Sequence, residues 1–111
     1  MNYRLVLLAL LLIMPLATRA QTTMLYGVGT ESCGAWLKYR QAKSWESQVR
    51  ESWVDGFLSA YNALGPNRSG DISQGNDHDR RMARIDSYCQ SHMAENIASA
   101  TTALIADLRR R

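Results

Sequence analysis

From about Ser44 to Leu64, large apolar residues recur every fourth position as Trp45, Val49, Trp53, Phe57 and Tyr61, with Val54, Leu58 and Leu64 widening the stripe. That spacing predicts a long amphipathic helix burying these residues, with Glu46, Arg50, Glu51 and Asp55 on a solvated opposite side. Gly65 then Pro66 predicts its end, as a left-handed cap followed by a residue unable to continue the helix. Upstream, Ser32 precedes Cys33, Trp36 and Leu37, with Arg40 beyond, and predicts a capped short helix. A third helix is expected from near Asn76 or Asp77 to Ser91, with Met82, Ile85, Tyr88 and Cys89 inward and Asp77 and Asp79 at its positive end. A fourth is expected from about Met93 to Leu108, burying Ile97, Ala100, Thr101, Leu104, Ile105 and Leu108. Alternation of the strand kind is absent. The pattern therefore predicts an all-α, four-helix domain, with an extended lead-in over 22–31 and an irregular loop over 65–76 carrying one apolar residue, Ile72.

The first twenty residues do not belong to that pattern. Arg4 precedes an unbroken apolar run from Leu5 to Met14, then Pro15 and small residues at Ala17, Thr18 and Ala20. The run falls short of the roughly 20 residues of a spanning helix and reads as a signal peptide cleaved after Ala20. The expected organisation is a signal peptide, 1–20, and a single helical domain, 21–111, periplasmic or secreted, with no stable membrane insertion after cleavage.

This division changes the charge picture. Residues 21–111 hold 11 Lys and Arg against 10 Asp and Glu, three of the cations being Arg109, Arg110 and Arg111. No basic face remains to recruit nucleic acid, and the arginine tail reads as a solvated terminus. An exported chain with two cysteines predicts a Cys33–Cys89 disulfide, since no C-x-x-C pair suggests redox or metal use. Asn67-Arg68-Ser69 fits a glycosylation acceptor in form only.

No catalytic constellation emerges. Asp77-His78-Asp79 has metal-binding residue types, but three consecutive residues cannot all face one ion, so a solvated cap is expected. His92 and Glu95 are at most half a metal site. Gly27-x-Gly29 lacks the strand and third glycine of a phosphate-binding turn, and Ser32, Ser59 and Ser69 lack a nucleophile-elbow context. The expectation is a non-enzymatic protein without catalytic residues, metal or cofactor. Its aromatic set, Trp36, Tyr39, Trp45, Trp53, Phe57, Tyr61 and Tyr88, is large for 91 residues; its helical spacing predicts core, with a surplus to be offered to a protein partner once a flank moves.

Ser32-Cys33 opening a short helix, then Trp53-Val54-Asp55-Gly56-Phe57-Leu58-Ser59-Ala60-Tyr61-Asn62, then Ile85-Asp86-Ser87-Tyr88-Cys89-Gln90-Ser91-His92, resembles the HdeA/HdeB family of small periplasmic acid-stress chaperones. The same outline is similar to the disulfide-linked periplasmic immunity proteins of type VI secretion, although Met93 stands where their proline would be. Both resemblances imply a structural Cys33–Cys89 bridge and no enzyme activity. The chaperone resemblance implies that near pH 2 to 3 Asp55, Asp71, Asp77, Asp79, Asp86 and Glu95 lose charge. Repulsion would then loosen the fold and offer Trp45, Trp53, Phe57 and Tyr61 to unfolded clients, or, short of that, to another partner. The immunity resemblance implies a specific protein partner docked on loop 65–76 and its flanking helices. Oligomeric state stays open, a homodimer included.

Overall fold

The structure, a computed structural model, describes residues 22–66 and 70–111. The expected leader, 1–20, and Asn67-Arg68-Ser69 lie outside the described residues. Four α-helices follow an irregular segment and a 3-10 turn at Gly27–Thr30: α1 Cys33–Ala42, α2 Trp45–Leu64, α3 His78–Ser91 and α4 Ile97–Arg109. Among the described residues there is no strand, only an isolated bridge between Ser32 and Asn96. Among the described residues no helix is long and apolar enough to cross a membrane.

Local chemistry explains most of the boundaries. The Ser32 hydroxyl accepts from the Ala35 N–H, and the Asp77 carboxylate accepts from the Arg80 N–H, each satisfying a donor that a first helical turn leaves free. Gly65 ends α2, but in extended backbone rather than the expected left-handed conformation. Glycine serves there by its size: a Cβ would collide with the Tyr61 carbonyl oxygen and press on the Tyr61 ring. The fourth helix begins at Ile97, not near Met93, because the preceding residues are used elsewhere. Glu95 O accepts from Cys33 N and Met93 O from Gly34 N, and Glu31 O accepts from Ile97 N. Asn96 then caps α4, its side chain accepting from Ser99 N at 2.8 Å.

The core joins Cys33, Trp36, Val54, Leu58, Met82, Ile85, Cys89, Ile97, Ala100, Leu104, Ile105 and Leu108. The inner faces expected of α3 and α4 are found. That of α2 is rotated: Val54 and Leu58 are buried, Trp53, Phe57 and Tyr61 are half-buried, and Trp45, Val49 and Leu64 are exposed. At 100° per residue, a four-residue step overshoots a full turn by about 40°, so a stripe stepping by four winds around the helix. Trp45 and Tyr61, four such steps apart, lie on nearly opposite sides.

Cys33 and Cys89 are bonded and fully buried, joining the start of α1 to the end of α3. With the backbone pairs between 31–34 and 93–97, this makes α1, α3 and α4 a stapled frame. Helix α2 packs on α1, on α4 and on the 3-10 turn, but carries no cysteine. It joins the frame covalently at both ends, to α1 through Lys43, in left-handed backbone at φ 49°, and Ser44, and to α3 through residues 65–77. The 3-10 turn is built around Trp53, whose indole N–H donates to Tyr26 O at 2.9 Å. The indole lies so close to Gly29 that any Cβ there would overlap its six-membered ring.

Candidate functional site

Sequence reading places Glu51 and Asp55 in solvent. They are instead the hub of a polar network between α1, α2 and α3. One turn apart on the same helix face, these two carboxylates repel each other unless a cation stands between them. Two arginines and a histidine from other helices stand between and beside them. From α1, Arg40 donates through Nη1 to Glu51 Oε1 at 2.7 Å, and through Nε and Nη2 to the two oxygens of Asp86 on α3, both at 2.9 Å. From α3, Arg81 Nε donates to Asp55 Oδ1 at 3.0 Å. His78, the first residue of α3, sets Nδ1 2.8 Å from Asp55 Oδ2 and Nε2 2.9 Å from Glu51 Oε2. Trp36 Nε1 donates to Asp86 Oδ1 at 2.7 Å, and Ser47 Oγ to Glu51 Oε1 at 2.7 Å, joining the network to the core. It borders an open groove of about 480 Å³ between α1, the start of α2 and α3.

Among the described residues, every side-chain hydrogen bond from α2 to α1 or α3 ends on Glu51 or Asp55. A further ionic tie links α2 to the segment before α1. Arg50, expected in solvent, is 8 % exposed. It donates through Nε to Glu31 Oε2 at 2.8 Å, and its guanidinium lies 3.7 Å from the centre of the Tyr39 ring, a cation–π contact.

The carboxylates are tuned by these contacts. Partial burial pushes Glu51 up, but hydrogen bonds from Ser47, His78 and Arg40 outweigh it and hold Glu51 below the usual carboxylate range. The Ser73 hydroxyl and the N–H groups of Gly75 and Ser73 hold Asp71 low in the loop. For Asp107, desolvation is overcome by Arg111, Arg84 and Arg110, which all pair with it. Arg110 and Arg111 of the tail thus close on their own helix through Asp107, which Arg84 ties to α3, rather than standing wholly in solvent.

The four aromatic residues expected to bind a client are not one patch. Trp45 is 69 % exposed and forms an outward pair with Val49 one turn on. Trp53 is covered by the 3-10 turn and stacks obliquely on Phe57, ring centres 5.3 Å apart. Phe57 reaches an apolar groove of about 510 Å³ lined also by Leu25, Tyr88 and Ala98, Ala103 and Ala106 of α4. Tyr61 packs against the core near Gly65.

The candidate ligand groups also separate. Asp77 caps α3 while His78 reaches across to α2, so Asp77-His78-Asp79 is not merely a solvated cap. His92 stacks on Tyr88 at 4.0 Å and sets Nδ1 2.8 Å from the Tyr88 carbonyl oxygen. Among the described residues no group of three His, Cys, Asp or Glu side chains is arranged to hold a metal ion. In loop 65–76, Ile72 packs against the core and Asp71 organises a turn around Ser73 and Gly75. The like-charged Glu51/Asp55 pair on one helix face was the available sequence signal for the hub; its partners lie 11 to 27 residues away. The chain matches no protein-family model, no curated protein and no solved structure.

Proposed function

We propose that this is a periplasmic or secreted, non-enzymatic helical protein that binds unfolded client chains in strong acid, as the HdeA-like sequence resemblance implies. One observation carries the reading: α2, which bears Trp45, Trp53, Phe57 and Tyr61, holds neither half of the disulfide, and its side-chain hydrogen bonds to α1 and α3 all end on carboxylates. At about pH 2 to 3 the carboxylates of an unfolded chain are protonated, and native ones held low must follow as the fold gives way. Those ties then lose their ionic character, and the eleven Lys and Arg of residues 21–111 repel one another without compensation.

Under those conditions α2 lifts away between its two tethers, Lys43–Ser44 and loop 65–76, while the disulfide keeps α1 and α3 together. Val54, Leu58, Phe57 and Trp53 become accessible, together with the core surface they covered, and that surface takes the apolar segments of an unfolded chain. The positive charge of the complex opposes its aggregation. On return to neutral pH the carboxylates recharge, α2 closes and the client is released.

The test is light scattering of an aggregating client taken to pH 2 to 3 and back, with and without the oxidised protein. Suppression in acid that disappears at neutral pH is the expected result. Absence of suppression, with helical circular dichroism retained in acid, contradicts the reading and favours a rigid module that blocks one specific partner.

A further inference from the structure

The two ring nitrogens of His78 face two separate carboxylates at hydrogen-bond distance. An ionised carboxylate only accepts, and a neutral imidazole has one N–H and one lone pair. A neutral His78 would therefore set its lone pair against either Asp55 or Glu51. Only the doubly protonated ring donates to both.

We propose that the folded protein carries a proton on His78 that locks α2 to α3, so that this helix pair is held most firmly in mild acid and loosens toward alkaline pH as well as toward strong acid. The lock is a property of the fold and does not depend on client binding.

The groups around the ring favour the charged form. From α2 it faces Glu51 and Asp55; behind them, Arg40 of α1 holds the other oxygen of Glu51, and Arg81 of α3 the other oxygen of Asp55. Asp86 of α3 is paired with Arg40, and Asp79 lies on the groove beside Glu51. The connected carboxylates Glu51, Asp55 and Asp86 outnumber Arg40 and Arg81 by one, and the imidazolium supplies the missing charge. Two influences oppose it: the positive end of α3, where His78 is the first residue, and partial withdrawal from water. The bonds to Glu51 and then Asp55 prevail and raise the His78 pKa above its ordinary value.

A raised histidine contributes stability that is fully present below its unfolded value, about 6.5, and lost as pH rises through the folded value. Glu51, held low, contributes stability present above about 4.3 and lost as pH falls through its folded value. Both contributions are complete between those limits. A fold that tightens as neutral medium becomes mildly acid, and opens only beyond, separates ordinary acidification from acid shock.

The oxidised full chain is tested by ¹⁵N NMR of its two imidazoles and by thermal melts from pH 5 to 9. The expected result is a His78 with both nitrogens protonated at neutral pH and a midpoint above about 6.5, moved downward by Asp55→Asn and by Glu51→Gln. The wild-type Tm falls by several degrees as pH rises through that midpoint, and His78→Gln removes the fall. A His78 that is neutral at pH 7, or an unchanged pH 5 to 9 profile in His78→Gln, overturns the proposal. Neither result bears on the client assay at pH 2 to 3, so the two readings fail separately.

Discussion

Glu51→Gln removes one charge and one acceptor from the hub while keeping its shape. The carboxylate receives Arg40 Nη1 and Ser47 Oγ on one oxygen and His78 Nε2 on the other. A glutamine has one acceptor oxygen, and its cheaper orientation keeps Arg40 and Ser47 and turns its NH₂ toward the His78 ring. One charge-assisted bond is lost and a second becomes charge–neutral. Such a bond contributes about 1.5–3 kcal/mol when desolvated. The exposed His78 edge argues for the lower part of that range, so the loss is about 2 kcal/mol, or roughly 10 °C in Tm for a domain of this size. Thermal melts by circular dichroism at pH 6 measure it, and repetition at pH 2.5 supplies the control, because protonation removes the wild-type advantage and the two proteins converge. A Tm within about 2 °C of wild type at pH 6, or a gap persisting at pH 2.5, would refute the assignment of Glu51 as the charged hub.

Replacing both cysteines, Cys33→Ser with Cys89→Ser, releases a constraint between residues 56 apart and is expected to cost about 4 kcal/mol from unfolded-chain entropy, read as the loss of the folded baseline in a urea titration. Gly29→Ala pushes a methyl group into the Trp53 indole and is expected to destabilise by about 1–3 kcal/mol, with a change in Trp53 fluorescence at neutral pH. Asn96→Ala removes the cap of α4 and should lower stability by about 1 kcal/mol in the same titration, while Asn96→Asp keeps it.

Three helix boundaries follow from residues within a few positions of the break, which is why Ser32, Asp77 and the Gly65-Pro66 step were legible in the sequence. The start of α4 was not, because residues 93–96 are drawn into backbone bonds with 33 and 34, sixty residues away. The buried faces of α3 and α4 were read correctly from spacing. The stripe on α2 misled, since it tracks large residues around the helix, and Trp45 is large without being covered. The hub was illegible for a related reason. Arg50, Glu51 and Asp55 look like a solvated face by local pattern, and only the return of α1 and α3 past α2 brings Arg40, His78 and Arg81 to them. Helical periodicity reports which side of a helix is apolar, but not whether its charged side meets water or complementary charge.

The central claim is that acid frees α2 from a frame the disulfide still holds. Hydrogen exchange of the oxidised protein, resolved along the chain at pH 6 and at pH 2.5, measures this directly. The account predicts that amides of residues 45–64 lose protection at pH 2.5 while those of α1 and α3 around Cys33 and Cys89 keep much of theirs. Protection lost equally across all four helices, or kept in α2 while a client is held, would contradict it.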